Sequence, residues 1–261
     1  LAITEKHAGS DVASITTTAR EEQDFYIING QKSYITNGSI ADFVVTLCKT
    51  SSLDSEMSAS CGMSLIVVPT NSSGFYAEKR YEKNKIGNFC CDHAELTFEQ
   101  VKVPRENLLG MAGRGWDMQM EQFQHERIIE GILMCSQAQT ILNLTKAYAK
   151  ERTIFGKPMI DNQSIAFALV NMETELECIR QMSYHCVEVF ISGKECTREV
   201  SMLKMKAGKV MRQLADDCLQ LFGGYGYLEQ GTISRLWRDV RASAFTGGSI
   251  ETMQHILRRF L

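Results

Sequence analysis

The heptapeptide Phe123-Gln124-His125-Glu126-Arg127-Ile128-Ile129 sets one carboxylate among apolar residues. On a helix, Phe123 and Ile129 stand three residues either side of Glu126, so one flank of the acid borders an apolar stripe. A carboxylate held there is partly withdrawn from water, which raises its proton affinity towards that of a general base. Most helix glutamates are simply solvated; the apolar neighbours are what single this one out. His125 and Arg127 adjoin it in sequence but do not share its helix face. A second stretch, Phe245-Thr246-Gly247-Gly248-Ser249, carries two glycines and no acid, and so offers backbone N–H groups instead of a side chain.

Four further segments have residue types that could meet a ligand, each with a plain structural alternative. Thr4-Glu5-Lys6-His7-Ala8-Gly9-Ser10-Asp11 reads as a turn between strands, or as backbone N–H groups and a Ser hydroxyl aimed at an anionic or carbonyl-bearing ligand. Gly30 to Gly38, with Tyr34-Ile35-Thr36 before Asn37-Gly38, reads as a hairpin arm and turn. Glu151 to Lys157 ends a long helix with cations that suit its dipole, although an Arg there could also reach a phosphate. Gln220-Leu221-Phe222-Gly223-Gly224-Tyr225-Gly226 stops a helix, and its glycines also let a flat ring approach the backbone. No Gly-x-Gly-x-x-Gly follows a strand, so a Rossmann dinucleotide site is not supported.

The elements that must position these residues change period near Pro104. Before it the chain reads as strands: Phe25–Ile28 running into an Asn29-Gly30 hairpin turn, then 43–47, 64–68, and the alternating 94–98. The Ser-rich stretch from Thr50 to Gly62 reads as an exposed loop, and the whole as an antiparallel β-barrel or sandwich. After Pro104, spacings of three and four residues predict helices over 115–152, about 162–191, and from an N-cap at Thr197 to Gly223-Gly224. Two shorter ones follow, about 233–244 and 250–260, the last capped by Ser249. Helices this long suit an antiparallel bundle. The division is a β-domain over 1–112 and a helical bundle over 113–261.

Bulk properties narrow the class. The 261 residues are 44% hydrophobic and 23% charged, as in an ordinary globular protein, and the net charge of −3 argues against a nucleic-acid footprint. No apolar run reaches the ~18 residues of a spanning helix. The nine cysteines lack metal-ligand spacing, which favours free thiols in a reducing compartment over zinc. Leu1-Ala2-Ile3-Thr4 is neither an initiator nor a targeting sequence, so the chain reads as the later part of a longer polypeptide.

Taken in order, these segments resemble the acyl-CoA dehydrogenase family. Thr4-Glu5…Ala8-Gly9-Ser10-Asp11 is similar to its first signature and Asn29 to Gly38 to its flavin-facing hairpin. Val101-Lys102-Val103-Pro104 is similar to its domain junction; Arg152…Phe155-Gly156-Lys157 with Gln163, Gln220…Gly224 and Arg238-Asp239…Gly247-Gly248 match the remaining landmarks. The resemblance implies an N-terminal helical domain outside this sequence, a middle β-domain and a C-terminal four-helix bundle, assembled as homodimers or homotetramers. It implies FAD, contacted by Leu1, Ile3, Thr4, Gly9 and Ser10, with Tyr34 (where most members carry Trp), Ile35 and Thr36 along the isoalloxazine. Arg152, Phe155, Gln163, Gln220 and Gly224 would meet the flavin nucleotide of a neighbouring subunit, and Ser249 and Glu251 its nucleotide end. Ser10, Arg127 and Gly248 would hold the acyl-CoA.

Most members carry the catalytic base at the position of Gly247. The isovaleryl- and long-chain-specific branches take it from the first bundle helix, at the position of Glu126, and this sequence resembles those branches. The implied reaction is flavin-dependent α,β-dehydrogenation of an acyl-CoA, with Glu126 as base and Gly247 retaining the N–H that steadies the thioester oxygen. An electron-transferring flavoprotein would take the electrons, in the mitochondrial matrix or a bacterial cytoplasm. The alternatives are an acyl-CoA oxidase and a non-catalytic assembly or binding protein of the same fold.

Overall fold

A computed structural model describes residues 1–50, 62–79, 81 and 84–261. The stretch read as a Ser-rich loop lies, except for its two ends, outside the described residues. The chain forms two compact units, Leu1–Gln122 and Phe123–Leu261.

The first unit is built on one seven-stranded sheet. Its strands are β1 (Thr18–Glu22), β2 (Phe25–Thr36), β3 (Phe43–Lys49), β4 (Met63–Pro69), β5 (Phe75–Glu78), β6 (His93–Pro104) and β7 (Leu108–Leu109), in the order β5-β6-β2-β1-β3-β4-β7. Neighbours pair antiparallel except β1 and β3, which meet in parallel at Thr18 and Lys49. The alternation expected at 94–98 holds, with Ala94, Leu96 and Phe98 buried and Glu95 and Thr97 half-buried. The residues read as a domain junction, Val101–Pro104, are the end of β6, and Pro104 still pairs with Phe25.

The Asn29-Gly30 turn does not form. β2 runs through it, and the hairpin turn lies at Gln23-Asp24, where Glu22 faces Phe25. Gly30 is required for a different reason. The pairing of β2 with β6 slips between Ile28 and Gly30, and a Cβ on Gly30 would lie 2.5 Å from Thr17 Oγ1 and 2.7 Å from Thr17 Cα. The glycine therefore marks a bulge and a close backbone approach. The Asn37-Gly38 turn does form: Asn37 is left-handed at φ 59° and Gly38 N–H donates to the Ile35 carbonyl at 3.1 Å.

The second unit is helical. It holds most of α1 (Gly115–Glu151), the hairpin of β8 (Thr153–Ile154) and β9 (Lys157–Pro158), then α2 (Gln163–Ile191), α3 (Thr197–Leu221), α4 (Thr232–Val240) and α5 (Ile250–Leu257). Its core joins Met134, Ala138, Ile141 and Leu142 of α1 to Leu176 and Ile179 of α2, and Leu203, Ala207, Met211 and Leu214 of α3. Ile129, which spacing set beside the apolar stripe of α1, is 57% exposed; the buried stripe runs through Ile128, Met134 and Cys135. The N-cap of α3 is Cys196, not Thr197. Thr197 is its first residue, and its N–H is satisfied at 2.8 Å by the Glu195 carboxylate. Ser249 does cap α5, accepting from Thr252 N–H at 3.1 Å.

Candidate active site

In the helical unit, Glu126 and the double glycine come together. A Cβ built on Gly247 would lie 3.4 Å from Glu126 Oε1 and 3.6 Å from Lys204 Cε. Glu126 is half-buried, and its carboxylate is turned towards the 247 backbone. His125 does point elsewhere, its ring edge-on to Phe190 at 4.5 Å. Gly247 sits at φ 62° and Gly248 at φ 112°; a Cβ on Gly248 would strike Met253 Cε at 2.6 Å. Both positions favour glycine for the backbone alone, and 248 also lacks room.

Arg127 is buried, with its guanidinium 5.3 Å from the centroid of the Phe123 ring and Nε donating to the Gly247 carbonyl at 3.1 Å. A contact predicted for substrate thus also holds the glycine peptide. Spacing did not single out Lys204 or Glu130. Lys204 is 1% exposed and its Nζ donates to the Ser243 carbonyl at 2.7 Å. Burial pushes the Lys204 ammonium below its ordinary range; Glu130 and Glu126 pull it back up, while Arg127 opposes them. Burial likewise pushes Glu130 up, with Lys204 and a Thr246 hydrogen bond drawing it down and Glu126 adding to the rise. Lys204 could have been noticed, because it lies with Val200, Leu203, Ala207 and Met211 on the buried stripe of α3.

In the β-unit, the two segments read as flavin contacts share a surface. The Ser33 N–H donates to the Thr4 carbonyl and Lys32 Nζ to the Ile3 carbonyl, both at 2.8 Å. Lys32 also pairs with Glu5 at 3.0 Å, and both are almost wholly buried. Four donors from Thr16 and Thr17 complete the Glu5 carboxylate. Burial would raise the Glu5 pKa, but Lys32 and those hydrogen bonds outweigh it and hold it at about 2. Ile3 and Ile35 turn into the core, leaving the side chains of Leu1, Thr4, Ser10, Tyr34 and Thr36 open or half-open, with Gly9 facing free space. Tyr34 adopts φ 62°, rare for a bulky residue, and stacks on Tyr81 at 5.0 Å. Hydroxyls and an accessible aromatic face on one surface fit a planar, hydrogen-bonding cofactor ring.

The remaining predicted contacts are Arg152, Phe155, Gln163, Gln220, Gly224, Ser249 and Glu251. All lie in the helical unit; Ser249 is half-buried and the others are exposed. Gln220 and Glu251 line one cleft of about 900 Å³ that also holds Lys206, Lys209 and Arg212. Tyr148, Phe222 and Tyr225 stack at 4.3 to 6.3 Å, seating the Gly223-Gly224 turn on the end of α1 that carries Arg152. Phe155 is 96% exposed at φ 49°, a strained aromatic that nothing among the described residues covers.

A β-sheet unit followed by a long-helix unit, with a carboxylate aimed at a glycine backbone, is an arrangement that could remove a proton beside a group that an amide polarises. Residues 1–101 match the family profile described as acyl-CoA dehydrogenase, middle domain, and residues 113–261 that of the acyl-CoA dehydrogenase C-terminal domain. The chain belongs to the acyl-CoA dehydrogenase family, whose members are FAD flavoproteins. It is 34% identical over 260 residues to an acyl-CoA dehydrogenase of Bacillus subtilis, covering all of this chain and 67% of that one. It is 33% identical to the caffeyl-CoA reductase–Etf complex subunit CarC of Acetobacterium woodii, covering 100% and 67%. The crystal structure of an acyl-CoA dehydrogenase from Geobacillus kaustophilus superposes with a TM-score of 0.94 at 40% identity, over 99% of this chain and 67% of that one. The chain thus spans about two thirds of the length of these relatives.

Proposed function

We propose that the whole protein oxidises an acyl-CoA thioester to its 2-enoyl-CoA, with Glu126 as the general base. The observation that carries this reading is the Glu126 carboxylate 3.4 Å from the point where a side chain at 247 would begin. An acid at either position therefore serves one small region of space, and here α1 supplies it. Glu126 removes the α-proton. The Gly247 N–H remains available to the thioester oxygen, on which negative charge grows as that proton leaves. Arg127 fixes the peptide that follows, through the Gly247 carbonyl. FAD, when bound, would supply the oxidising equivalents for loss of the β-hydrogen. Thr4, Ser10, Tyr34 and Thr36 would hold it in the β-unit, with Arg152, Phe155, Gln163, Gln220 and Gly224 serving a neighbouring subunit in a homodimer or homotetramer. An electron-transferring flavoprotein is the proposed acceptor, supported by the relative named as part of an Etf complex.

The test is Glu126→Gln in the full-length, flavin-loaded protein. Loss of the base should lower turnover by at least ~10²-fold with flavin content unchanged. Near-normal turnover would rule the assignment out. Adding Gly247→Glu to that variant should restore part of the activity, less roughly 1 kcal/mol for a side chain at positive φ. Peroxide formed without an added acceptor would identify an oxidase, and a colourless protein unchanged by acyl-CoA a non-catalytic one.

A further inference from the structure

The reaction as derived needs no lysine, yet one is buried beside the base. Withdrawing an ammonium from water costs several kcal/mol unless opposite charge answers it. Lys204 is 1% exposed, and its hydrogen bond at 2.7 Å goes to a neutral carbonyl, that of Ser243. The charges that bear on it are Glu130, Arg127 and Glu126, all from α1. The 241–248 segment adds the Ser243 carbonyl to Lys204 and the Thr246 hydroxyl to Glu130. Two carboxylates and two cations make this cluster neutral at rest. Lys204 Cε and Glu126 Oε1 approach the same point above Gly247, at 3.6 and 3.4 Å.

Resting on Glu126 as the base, we propose that Lys204 is a positioning residue for proton abstraction, tying down the Ser243–Gly247 backbone and supplying the positive charge that answers Glu126. Two consequences follow from charge counting. Before reaction, Lys204 and Arg127 offset the charges of the two carboxylates, Glu126 and Glu130. Once Glu126 holds the substrate's α-proton, the cluster carries one net positive charge, at the moment negative charge gathers on the thioester oxygen. A preset charge of that sign favours the transition state over the ground state. The Ser243 bond meanwhile fixes the backbone four residues before the Gly247 amide, and Arg127 grips the peptide beyond it.

The experiment measures kcat and KM against pH for full-length, flavin-loaded wild type, Lys204→Met, Lys204→Arg and Glu126→Gln. Lys204→Met should lower kcat about tenfold or more while KM moves little, because the lost effect belongs to the transition state. Its acid limb of kcat should move to higher pH, because only Arg127 is left to answer the two carboxylates. Lys204→Arg should keep the wild-type limb. An unmoved limb in Lys204→Met, or an equal shift in Lys204→Arg, overturns the proposal, the latter by showing that shape and not charge matters. Should Lys204→Met fail to load flavin, Glu130→Gln carries the test: with one carboxylate gone the acid limb should move to lower pH, and an unmoved limb overturns the proposal. Normal turnover by Glu126→Gln would topple the base and this inference together, whereas an inactive Glu126→Gln with a wild-type profile in Lys204→Met topples Lys204 alone.

Discussion

Lys32→Met should open the β-unit at the surface where the cofactor contacts are proposed. The substitution keeps length and removes a buried cation with two hydrogen bonds, to the Ile3 carbonyl and to Glu5. Removing one member of a buried ion pair typically costs about 3–5 kcal/mol. Four other donors still serve the Glu5 carboxylate, which places the cost near the low end, about 3 kcal/mol. Unfolding of two units need not be two-state, so the assay is local: hydrogen exchange at the Ser33 amide, whose N–H donates to Thr4. A 3 kcal/mol loss raises its opening equilibrium roughly a hundredfold. Glu5→Gln should cost a similar amount, and the double variant no more than either single, because the double leaves no unanswered charge whereas each single leaves one. Costs that simply add would refute the coupling. The pair also sets an acid limit. The Glu5 pKa is depressed to about 2, so its contribution is complete above the unfolded value near ~4.3 and drains as pH falls towards 2. In Lys32→Met the folded pKa rises, so the drain should still begin near the unfolded value but end at higher pH, over a narrower window.

Other expectations are briefer. Gly30→Ala should destabilise the β-unit by roughly 3 kcal/mol, because its methyl group would sit 2.5 Å from Thr17. Gly9→Ala, with nothing within 4 Å, should leave stability within about 0.5 kcal/mol and lower flavin affinity; thermal melts and flavin titration compare them. Alkylation of the native protein followed by peptide mass mapping should label exposed Cys90 well before Cys48 and Cys186. Burial pushes both of those thiols up to about 12, for Cys48 despite Lys32 nearby, so labelling of either at the rate of Cys90 would refute their assignment as core.

Long periodic segments were the most legible part of the sequence: α1, α2 and α3 fall within a few residues of their predicted spans, because many positions vote for one period. Single-residue signals misled where two meanings share one residue pair. Asn29-Gly30 has the chemistry of a hairpin turn, but its glycine answers the backbone of Thr17, which lies thirteen residues earlier and is invisible to local pattern. Thr197 looked like a cap, yet the Glu195 side chain does that work. Glu126 drew notice through its apolar neighbours Phe123 and Ile129, yet Ile129 is 57% exposed, so only one flank of the acid is covered as the spacing implied. Lys204 carried a cue in its place on the buried stripe of α3, but Lys32 did not, because a lysine in a strand alternation reads as surface until its partner is seen. For Lys32 the cue is hidden further by the pairing slip after it, which buries Lys32 and Ser33 in succession.

The open seat at Gly247 bears on how such sites can change over generations. Carboxylates at 126 and 247 would compete for one pocket of space, and the two cations beside them are already matched by Glu126 and Glu130. A lineage could not drift between the two layouts through a chain carrying both acids without having them share a proton, which blunts each as a base. If Glu126 is the base, the passage between layouts would cross a form with neither acid, or with two acids that blunt each other, and either step would cost activity.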